Sequence, residues 1–463
     1  MFIIDITYYL VGEQTGLSIH QMIIAFNETS HILGAIKTYG INILTALILC
    51  FMIVYLVILL RKHVKKRVNA ILPLILLPLS YIGAYKVYDK SAYTAYEYLS
   101  YVKIPVYIML AYNKGWLNIP YKKREILTKF PNHVQKFKNI ILIVDESVRA
   151  DYLSINGFNM KTTPFLDNFK DVVSLGIATS GANNSAPSQY ILRNGLTLND
   201  LPDKNFDTLR KPNVFQYAKN AGYDTYYLDA QVEYKQLQNF MSIYDLEYID
   251  EYFTVSKRKP SYNLDKQMLY RLVDLLESND NKKLVYIVKN GSHVPWIMNY
   301  PQEKTFFSPV LNTNETVNIS NRSQAINTYG NSLRWSVDEF FKELLSKISL
   351  EKSLIIYTSD HSVNIAENNT NMFYGMEKNP PSTTASVPIL LFHKDINDKF
   401  KFQKDIYSHF DVFPTILDLM GYDSFIYKKY GNSIFTNKEF ENRFFFSGNI
   451  FGDGHINKYE SVK

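Results

Sequence analysis

The chain of 463 residues contains a single cysteine, Cys50, which lies inside an apolar run. Intramolecular disulfides and zinc sites built from paired cysteines are therefore excluded. No cluster of Lys and Arg reaches the size of a nucleic-acid footprint, and the formal net charge is only +6, so we expect no nucleic-acid partner. Internal repeats and low-complexity blocks are also absent. Aromatic residues make up 15% of the chain, which is not the composition of a disordered protein.

Charge is absent from two apolar segments near the N-terminus. The first, 41–60, holds 20 uncharged residues, a length that matches the hydrocarbon core of a bilayer. The second covers roughly 68–88 and is uncharged through Tyr85. The loop between them, "RKHVKKR" at 61–67, is strongly basic, which predicts that it is cytoplasmic and that the chain after about residue 88 lies outside. The alternative is a buried helical hairpin in a soluble core.

Residues 1–88 are thus predicted to be a membrane region with helices near 41–60 and 68–88. Residues 89–138 interleave Tyr with apolar and a few charged residues, which favours an interfacial helical linker along the lipid headgroups. The same segment could instead pack on the domain that follows. From residue 139 to residue 463, helical patterns such as 213–222 and 332–348 alternate with short apolar runs, most of them continuous as in buried parallel strands. This alternation predicts an α/β sheet with helices on both faces. The predicted strands are 139–145, 225–229, 283–288, 353–360 and 387–392.

Polar side chains follow three of these predicted strands. Glu146 comes after the first, His293 after the third, and Asp360 and His361 at the end of the fourth. Sites in open α/β sheets form beyond the carboxyl ends of strands, and carboxylate and imidazole groups are suitable ligands for Zn²⁺ or Mn²⁺. A strand-end Asp-His pair can also be a helix cap with a solvated ring. Three such positions together favour a metal site.

The segment 139–169, "NIILIVDESVRADYLSINGFNMKTTPFLDNF", resembles the opening of the alkaline-phosphatase-like phosphoethanolamine transferases. These are inner-membrane enzymes that modify lipid A or the lipopolysaccharide core. "GSH" at 291–293, "SDH" at 359–361 and "HFDVFPTILDLMG" at 409–421 match further motifs of that family. The resemblance implies N-terminal transmembrane helices followed by an alkaline-phosphatase-like α/β/α sandwich. It also implies a multi-pass protein of the bacterial inner membrane with a periplasmic, sulfatase-like catalytic domain over 139–463.

The same family uses a Thr or Ser nucleophile within a T-A-x-S pattern, and "SAPS" at 185–188 fits that pattern. The resemblance therefore implies that Ser185 is the nucleophile and that Glu146, Ser185, Asp360 and His361 bind a catalytic zinc ion, with Mn²⁺ or another divalent ion as alternatives. His293 would hold the phosphate or bind a second metal, and would act as a catalytic residue. From the residues alone, Ser185 is equally a loop hydroxyl that caps a helix.

Three further residues are predicted to contact substrate: Lys235, Ser188 and Asn184. Lys235 matches the family by spacing only, and a solvated surface lysine is equally consistent with it. Two departures from the family stand out. The cysteines that usually flank the nucleophile loop are missing, and Ser386 stands where the family often has a histidine before Val-Pro.

The implied reaction is transfer of phosphoethanolamine from phosphatidylethanolamine to a lipopolysaccharide acceptor, lipid A or core, through a covalent phospho-serine-type intermediate. Two alternatives remain open. One is a glycerophosphotransferase that uses phosphatidylglycerol, of the lipoteichoic-acid-synthase or glucan-modifying type. The other is an inactive, membrane-anchored binding homologue. A sulfatase activity is disfavoured because the C/S-x-P-x-R motif needs an Arg where Gln189 stands.

Overall fold

A computed structural model describes residues 2–11, 29–61, 100–113 and 119–461, with positions 22 and 82, but leaves out 257–259, 314, 316, 371, 373 and 376–378. The chain forms two compact units. The first contains Met1–Pro120 and Phe451–Asp453, and the second contains Tyr121–Ile450 and Gly454–Lys463.

The described residues of the first unit include three helices: α1 is Phe2–Val11, α2 is Thr29–Arg61 and α3 is Ser100–Asn113. Helix α2 includes the predicted segment 41–60, and α3 lies within the predicted linker 89–138. The segment 68–88 lies outside the described residues apart from Ile82. Among the residues that the structure describes, no helix is both long and apolar enough to cross a membrane.

The second unit is built on a seven-stranded sheet with the order β2-β7-β6-β1-β5-β3-β4. The strands β1, β3, β4, β5 and β6 are parallel to one another, whereas β7 runs antiparallel to β6 and to β2. The strands are β1 Asn139–Asp145, β2 Val172–Thr179, β3 Asp224–Asp229, β4 Glu251–Thr254, β5 Lys283–Val288, β6 Ser353–Ser359 and β7 Ser386–Phe392. A separate hairpin pairs β8 Phe444–Gly448 with β9 Gly454–Lys458.

All five predicted strands are present, with bounds that shift by no more than one residue. The continuous apolar runs arise because both faces of the sheet are covered, as parallel strands require. The direction of β7 differs from the parallel arrangement that its sequence suggested. Its direction is set by pairing with β2 and β6, which the run 387–392 does not encode.

The two faces of the sheet bury alternate residues of β1. Ile140, Leu142 and Val144 belong to one apolar cluster, whereas Ile141 and Ile143 belong to the other. The first cluster includes residues of the helices at 214–220 and 412–419, and the second includes residues of the helices at 264–278, 322–333 and 340–345. Helices therefore cover both faces of the sheet, which confirms the predicted α/β domain. The helices are α4 Ser185–Asn194, α5 Val214–Asn220, α6 Ile243–Leu246, α7 Leu264–Ser278, α8 Arg322–Leu333, α9 Phe340–Leu345, α10 Ile396–Lys399, α11 Val412–Leu419 and α12 Ser424–Tyr427.

Helix α4 ends at a glycine that packs closely on α11. Gly195 adopts a left-handed conformation with φ +60°, and its N–H donates to the Ile191 carbonyl oxygen. A Cβ atom at this position would overlap the ring of Phe413, which is buried in α11. This glycine therefore fixes the distance between α11 and the helix that begins with Ser185.

We predict that Gly195→Ala costs more unfolding free energy than Gly222→Ala. Both residues have positive φ, but a Cβ at Gly222 has no neighbour within 4 Å. Gly222→Ala should therefore cost about 1 kcal/mol from backbone strain alone. Gly195→Ala should cost a further ~1–3 kcal/mol because the Phe413 ring must move. Denaturant unfolding measures both, and equal losses for the two variants would contradict the packing of α4 on α11.

Candidate metal centre and nucleophile

The ends of two neighbouring strands bring three potential metal ligands together. Strands β1 and β6 are parallel and adjacent, with Asp145 opposite Ser359, so the residues that follow them meet at one edge of the sheet. Glu146, Asp360 and His361 are buried there, and a ligand atom of each lies within 4.8 Å of the others. These are the residues that the sequence predicted as metal ligands.

The backbone fixes which nitrogen of His361 faces the cluster. Its Nδ1 lies 2.9 Å from the carbonyl oxygen of Ser362, an acceptor that requires Nδ1 to carry the proton. The other nitrogen, Nε2, lies 3.4 Å from Glu146 Oε1 and 3.7 Å from Asp360 Oδ2. In neutral His361 the Nε2 lone pair is thus directed at the carboxylates, which is the orientation of a metal ligand.

One oxygen of Asp360 has no hydrogen-bond partner among the described residues although it is buried. The Oδ1 atom accepts from the backbone N–H groups of Ser147 at 3.1 Å and His361 at 2.7 Å, whereas Oδ2 accepts from no group in the described part of the chain. A buried carboxylate oxygen without a partner is costly, and coordination to a cation is a common way to satisfy it. The side chains present therefore fit a divalent ion.

The electrostatics of the cluster also favour a cation. Burial raises the pKa of Asp360, and the charge of Glu146 raises it further. Burial acts to lower the pKa of His361, but the charge of Asp360 and the hydrogen bond to Glu146 outweigh it and raise that pKa. Burial opposes ionisation of Glu146 too, yet the hydrogen bond and charge of His361 hold its pKa well below the ordinary value. Positive charge is thus required beside these carboxylates, either as a proton or as a metal ion.

Ser185 is the first residue of α4 and completes the group of four predicted ligands. Its Oγ lies 3.3 Å from Glu146 Oε2 and 3.2 Å from His361 Nε2. The N-terminus of α4 carries a partial positive charge that favours an anion at this point. The hydroxyl therefore lies where a phosphate ester would meet both the helix terminus and the carboxylate cluster.

Backbone hydrogen bonds hold the nucleophile loop in place of the missing cysteines. The N–H of Asn183 donates to the Phe446 carbonyl oxygen at 3.1 Å, and the N–H of Phe446 donates to the Gly181 carbonyl oxygen at 2.8 Å. The N–H of Ser180 donates to Ala385 at 2.9 Å. The loop is thus paired with β8 on one side and with the residue before β7 on the other.

Asn184 lies directly before Ser185, at the N-cap position of α4, and is 9% exposed. Among the described residues, neither its amide nitrogen nor its amide oxygen has a hydrogen-bond partner, and its side chain does not cap the helix. A buried amide with neither atom satisfied, next to Ser185, is consistent with the predicted contact to substrate.

The structure gives Ser188 a contact other than the predicted one to substrate. Its buried hydroxyl donates to the carbonyl oxygen of Asp360 at 2.5 Å and lies 3.2 Å from His409 Nδ1. The other ring nitrogen of His409 lies 3.0 Å from Thr358 Oγ1. Ser188 and His409 therefore join α4 to the end of β6 and support the position of Asp360.

Two other predicted residues are exposed. His293 has its Nδ1 at 2.6 Å from the Val294 carbonyl oxygen and is not one of the three clustered ligands. Lys235 follows β3 in a surface turn, where its backbone N–H donates to Thr254.

Ser386 begins β7 and is buried, with its Oγ at 2.9 Å from the Ser382 carbonyl oxygen and 2.8 Å from the Tyr459 hydroxyl.

Several residues that contact the ligands directly were not predicted, among them Gln231, Tyr374 and Ser147, whose Oγ donates to Glu146 Oε1 at 2.7 Å. Gln231 donates through Nε2 to Glu146 Oε2 at 3.0 Å and to the Lys289 carbonyl oxygen at 2.9 Å. The ring of Tyr374 stacks on His361 with centroids 5.6 Å apart. Gln231 does follow a predicted strand, as Glu146 does, and that position is the one signal that could have indicated it.

Comparison with known proteins places this fold and site in a family. The sequence pattern described as Sulfatase matches residues 138–422, more than half of the chain. The chain belongs to the sulfatase family. The Kdo(2)-lipid A phosphoethanolamine 7''-transferase of Salmonella typhimurium is 24% identical over 304 residues, which are 62% of this chain and 52% of that enzyme. The chain thus spans about half the length of the curated relatives it matches.

Solved structures of other proteins share the fold. The periplasmic domain of EcEptC from Escherichia coli, in complex with Zn, has a TM-score of 0.56 at 17% identity and covers 72% of this chain and 96% of its own. The integral membrane lipooligosaccharide phosphoethanolamine transferase A of Neisseria meningitidis has a TM-score of 0.56 at 20% identity, over 84% of this chain and 69% of its own. The resemblance to the phosphoethanolamine transferases that the motifs indicated is confirmed.

We predict that the metal-free protein loses stability as the pH rises through neutrality. The pKa values of Asp360 and His361 are both raised in the folded state. The stability that each group contributes is therefore fully present below its pKa in the unfolded state. It is lost as the pH rises through its pKa in the folded state. Unfolding in excess chelator at about pH 6 and about pH 8 measures this loss, which added Zn²⁺ should reverse.

Asp360→Asn is the matched control for that measurement, since it removes one buried charge and keeps the shape of the side chain. The variant should show a smaller pH dependence in chelator and little stabilisation by Zn²⁺. Equal stabilisation of both proteins by Zn²⁺ would exclude Asp360 as a ligand.

Proposed function

We propose that this protein transfers phosphoethanolamine from phosphatidylethanolamine to a lipopolysaccharide acceptor, lipid A or core. The observation that carries the proposal is the position of Ser185 Oγ, 3.3 Å from Glu146 Oε2 and 3.2 Å from His361 Nε2 at the N-terminus of α4. The relatives named as phosphoethanolamine transferases support the choice of donor headgroup.

The metal would be held by Glu146, Asp360, His361 and Ser185. Their two carboxylates, one imidazole and one hydroxyl suit Zn²⁺, with Mn²⁺ or another divalent ion as alternatives. When bound, such an ion lowers the pKa of a coordinated hydroxyl and neutralises charge that develops on phosphate oxygens.

The transfer proceeds in two displacements at phosphorus. In the first, Ser185 Oγ loses its proton and bonds to phosphorus, the bond from phosphorus to the glycerol oxygen breaks, and that oxygen takes up a proton as diacylglycerol leaves. In the second, an acceptor oxygen loses its proton and bonds to phosphorus, the bond from phosphorus to Ser185 Oγ breaks, and Ser185 Oγ takes up a proton again. In this proposal His293 donates a proton or a hydrogen bond, and Asn184 binds a phosphate oxygen. The unpartnered amide of Asn184 among the described residues supports the second role.

The donor is a membrane lipid, so a membrane-bound enzyme is consistent with the reaction. We infer a multi-pass protein of the bacterial inner membrane whose catalytic domain faces the periplasm. The apolar segments 41–60, which is uncharged, and 68–88, which is uncharged through Tyr85, support this location together with the basic loop between them.

We predict a phosphoethanolamine ester on Ser185 after incubation with headgroup-labelled phosphatidylethanolamine. Mass spectrometry of the peptide "SGANNSAPSQYILR" should show the adduct, and fragmentation should assign it to Ser185 and not to Ser180 or Ser188. Ser185→Ala should lose the adduct and retain the bound metal, because the other three ligands remain.

The same experiment separates the alternatives when phosphatidylglycerol is offered in parallel. A glycerophosphate ester on Ser185 would identify a glycerophosphotransferase. Consumption of lipid with an unmodified peptide would overturn the assignment of Ser185. A chain that binds the lipid and leaves it intact would be a binding homologue.

A further inference from the structure

The carboxyl end of β5 carries a lysine that is completely buried. Lys289 comes directly after β5 and is 0% exposed, and its backbone N–H donates to the Val144 carbonyl oxygen of β1 at 2.9 Å. Its Nζ lies 2.5 Å from Asp145 Oδ2 and 3.7 Å from Asp265 Oδ2, and it also donates to the Ser336 carbonyl oxygen. One buried ammonium is therefore the counter-ion of two carboxylates.

The first of these carboxylates holds the backbone of a metal ligand. Asp145 Oδ2 accepts from Lys289 and from the Tyr357 hydroxyl at 2.8 Å, which leaves Oδ1 to accept from the backbone N–H of Glu146 at 2.9 Å. A Cβ on Gly291 would overlap Asp145 Oδ1, so the neighbouring loop packs directly on this carboxylate.

The second carboxylate holds the loop that carries His293. Asp265 Oδ1 accepts from the backbone N–H of Asn290 at 2.7 Å, and its Oδ2 accepts from Gly291 at 3.1 Å. The two loops are also joined directly, because the N–H of Ser292 donates to the Glu146 carbonyl oxygen at 3.0 Å. The backbone after β1 and the backbone after β5 thus depend on the same ammonium group.

We propose that Lys289 is a positioning residue that fixes Glu146 and the loop 290–293 through Asp145 and Asp265. Removal of its charge leaves two carboxylates in the interior with no cation between them, since nothing else in the described contacts of Asp145 is positively charged. A buried ion pair that loses one partner is strongly destabilising, and the remaining carboxylates would turn away or take up protons. Either response releases the backbone N–H groups that place Glu146 and His293.

The test compares Lys289→Met with Lys283→Met in the full chain. Lys283 is a matched control because it is also 0% exposed and lies at the opposite end of β5, where its Nζ donates to Asn279 and Asn281 and to no carboxylate. The role of Lys289 in metal binding rests on the proposed function, so two readouts are used: the Kd for Zn²⁺, and hydrogen exchange of individual backbone amides.

We expect Lys289→Met to weaken Zn²⁺ binding by about 10- to 100-fold, as for other residues that orient metal ligands, and Lys283→Met to change it by less than about twofold. Hydrogen exchange should accelerate at the amides of Glu146, Asn290 and Gly291 in Lys289→Met alone. If Lys289→Met does not fold, the double variant Lys289→Met/Asp145→Asn, which removes the charges of Lys289 and Asp145, replaces it. We expect the same loss of Zn²⁺ affinity and the same faster exchange from this double variant.

A folded variant without Lys289 that keeps the wild-type Kd and the wild-type exchange at these amides would overturn the proposal. Failure of the wild-type chain to bind Zn²⁺ would contradict the proposed metal site instead. In that case the hydrogen-exchange comparison still tests the positioning of the two loops.

Discussion

Two carboxylates, Glu146 and Asp360, are buried side by side at the ends of adjacent parallel strands, and this arrangement requires positive charge. Two unpaired anions in a low-dielectric interior are unstable, and the shifted pKa values of Asp360 and His361 express that cost. In the described part of the chain, the basic side chain next to these carboxylates is His361, at 3.4 Å from Glu146 Oε1 and 3.7 Å from Asp360 Oδ2. A proton or a divalent ion must therefore meet the requirement. The chemistry proposed for Ser185 depends on the divalent ion.

The structure around the carboxylates consists of hydrogen bonds that fix backbone rather than of covalent links. A sulfatase-family chain with one cysteine cannot hold its nucleophile loop with disulfides. Here the loop before Ser185 is paired with Phe446 of the C-terminal hairpin, which lies beyond the residues 138–422 that match the family. On the other side of the site, Asp145 and Asp265 bind the backbone of the loops that follow β1 and β5. Asp145 and Asp265 thus position the backbone around the site, whereas Glu146 and Asp360 are its candidate metal ligands.

The fold and the meeting of Glu146, Asp360 and His361 at one edge of the sheet could be predicted because their signals are local. Continuous apolar runs identify buried strands, and polar residues directly after them identify the edge where sites form. The strands β2, β4, β8 and β9 were not predicted. Strand β4 is only four residues long, β2 is interrupted by Ser174 and Gly176, and β8 and β9 are only five residues long. The antiparallel direction of β7 depends on pairing with residues far away in sequence. Contacts such as Gln231 with Glu146, which are 85 residues apart, were missed for the same reason. The SAPS pattern marks Ser188 but cannot show that one turn of helix buries its hydroxyl against His409.

The central claim is that Glu146, Asp360 and His361, with Ser185, form one metal centre. Anomalous diffraction at the zinc edge from crystals of the full chain grown with Zn²⁺ tests it most directly. If these residues form one metal centre, one strong peak lies at about 2.0–2.2 Å from a carboxylate oxygen of Glu146, from Asp360 Oδ2 and from His361 Nε2. A crystal that binds Zn²⁺ elsewhere and leaves Asp360 Oδ2 without a ligand would contradict it.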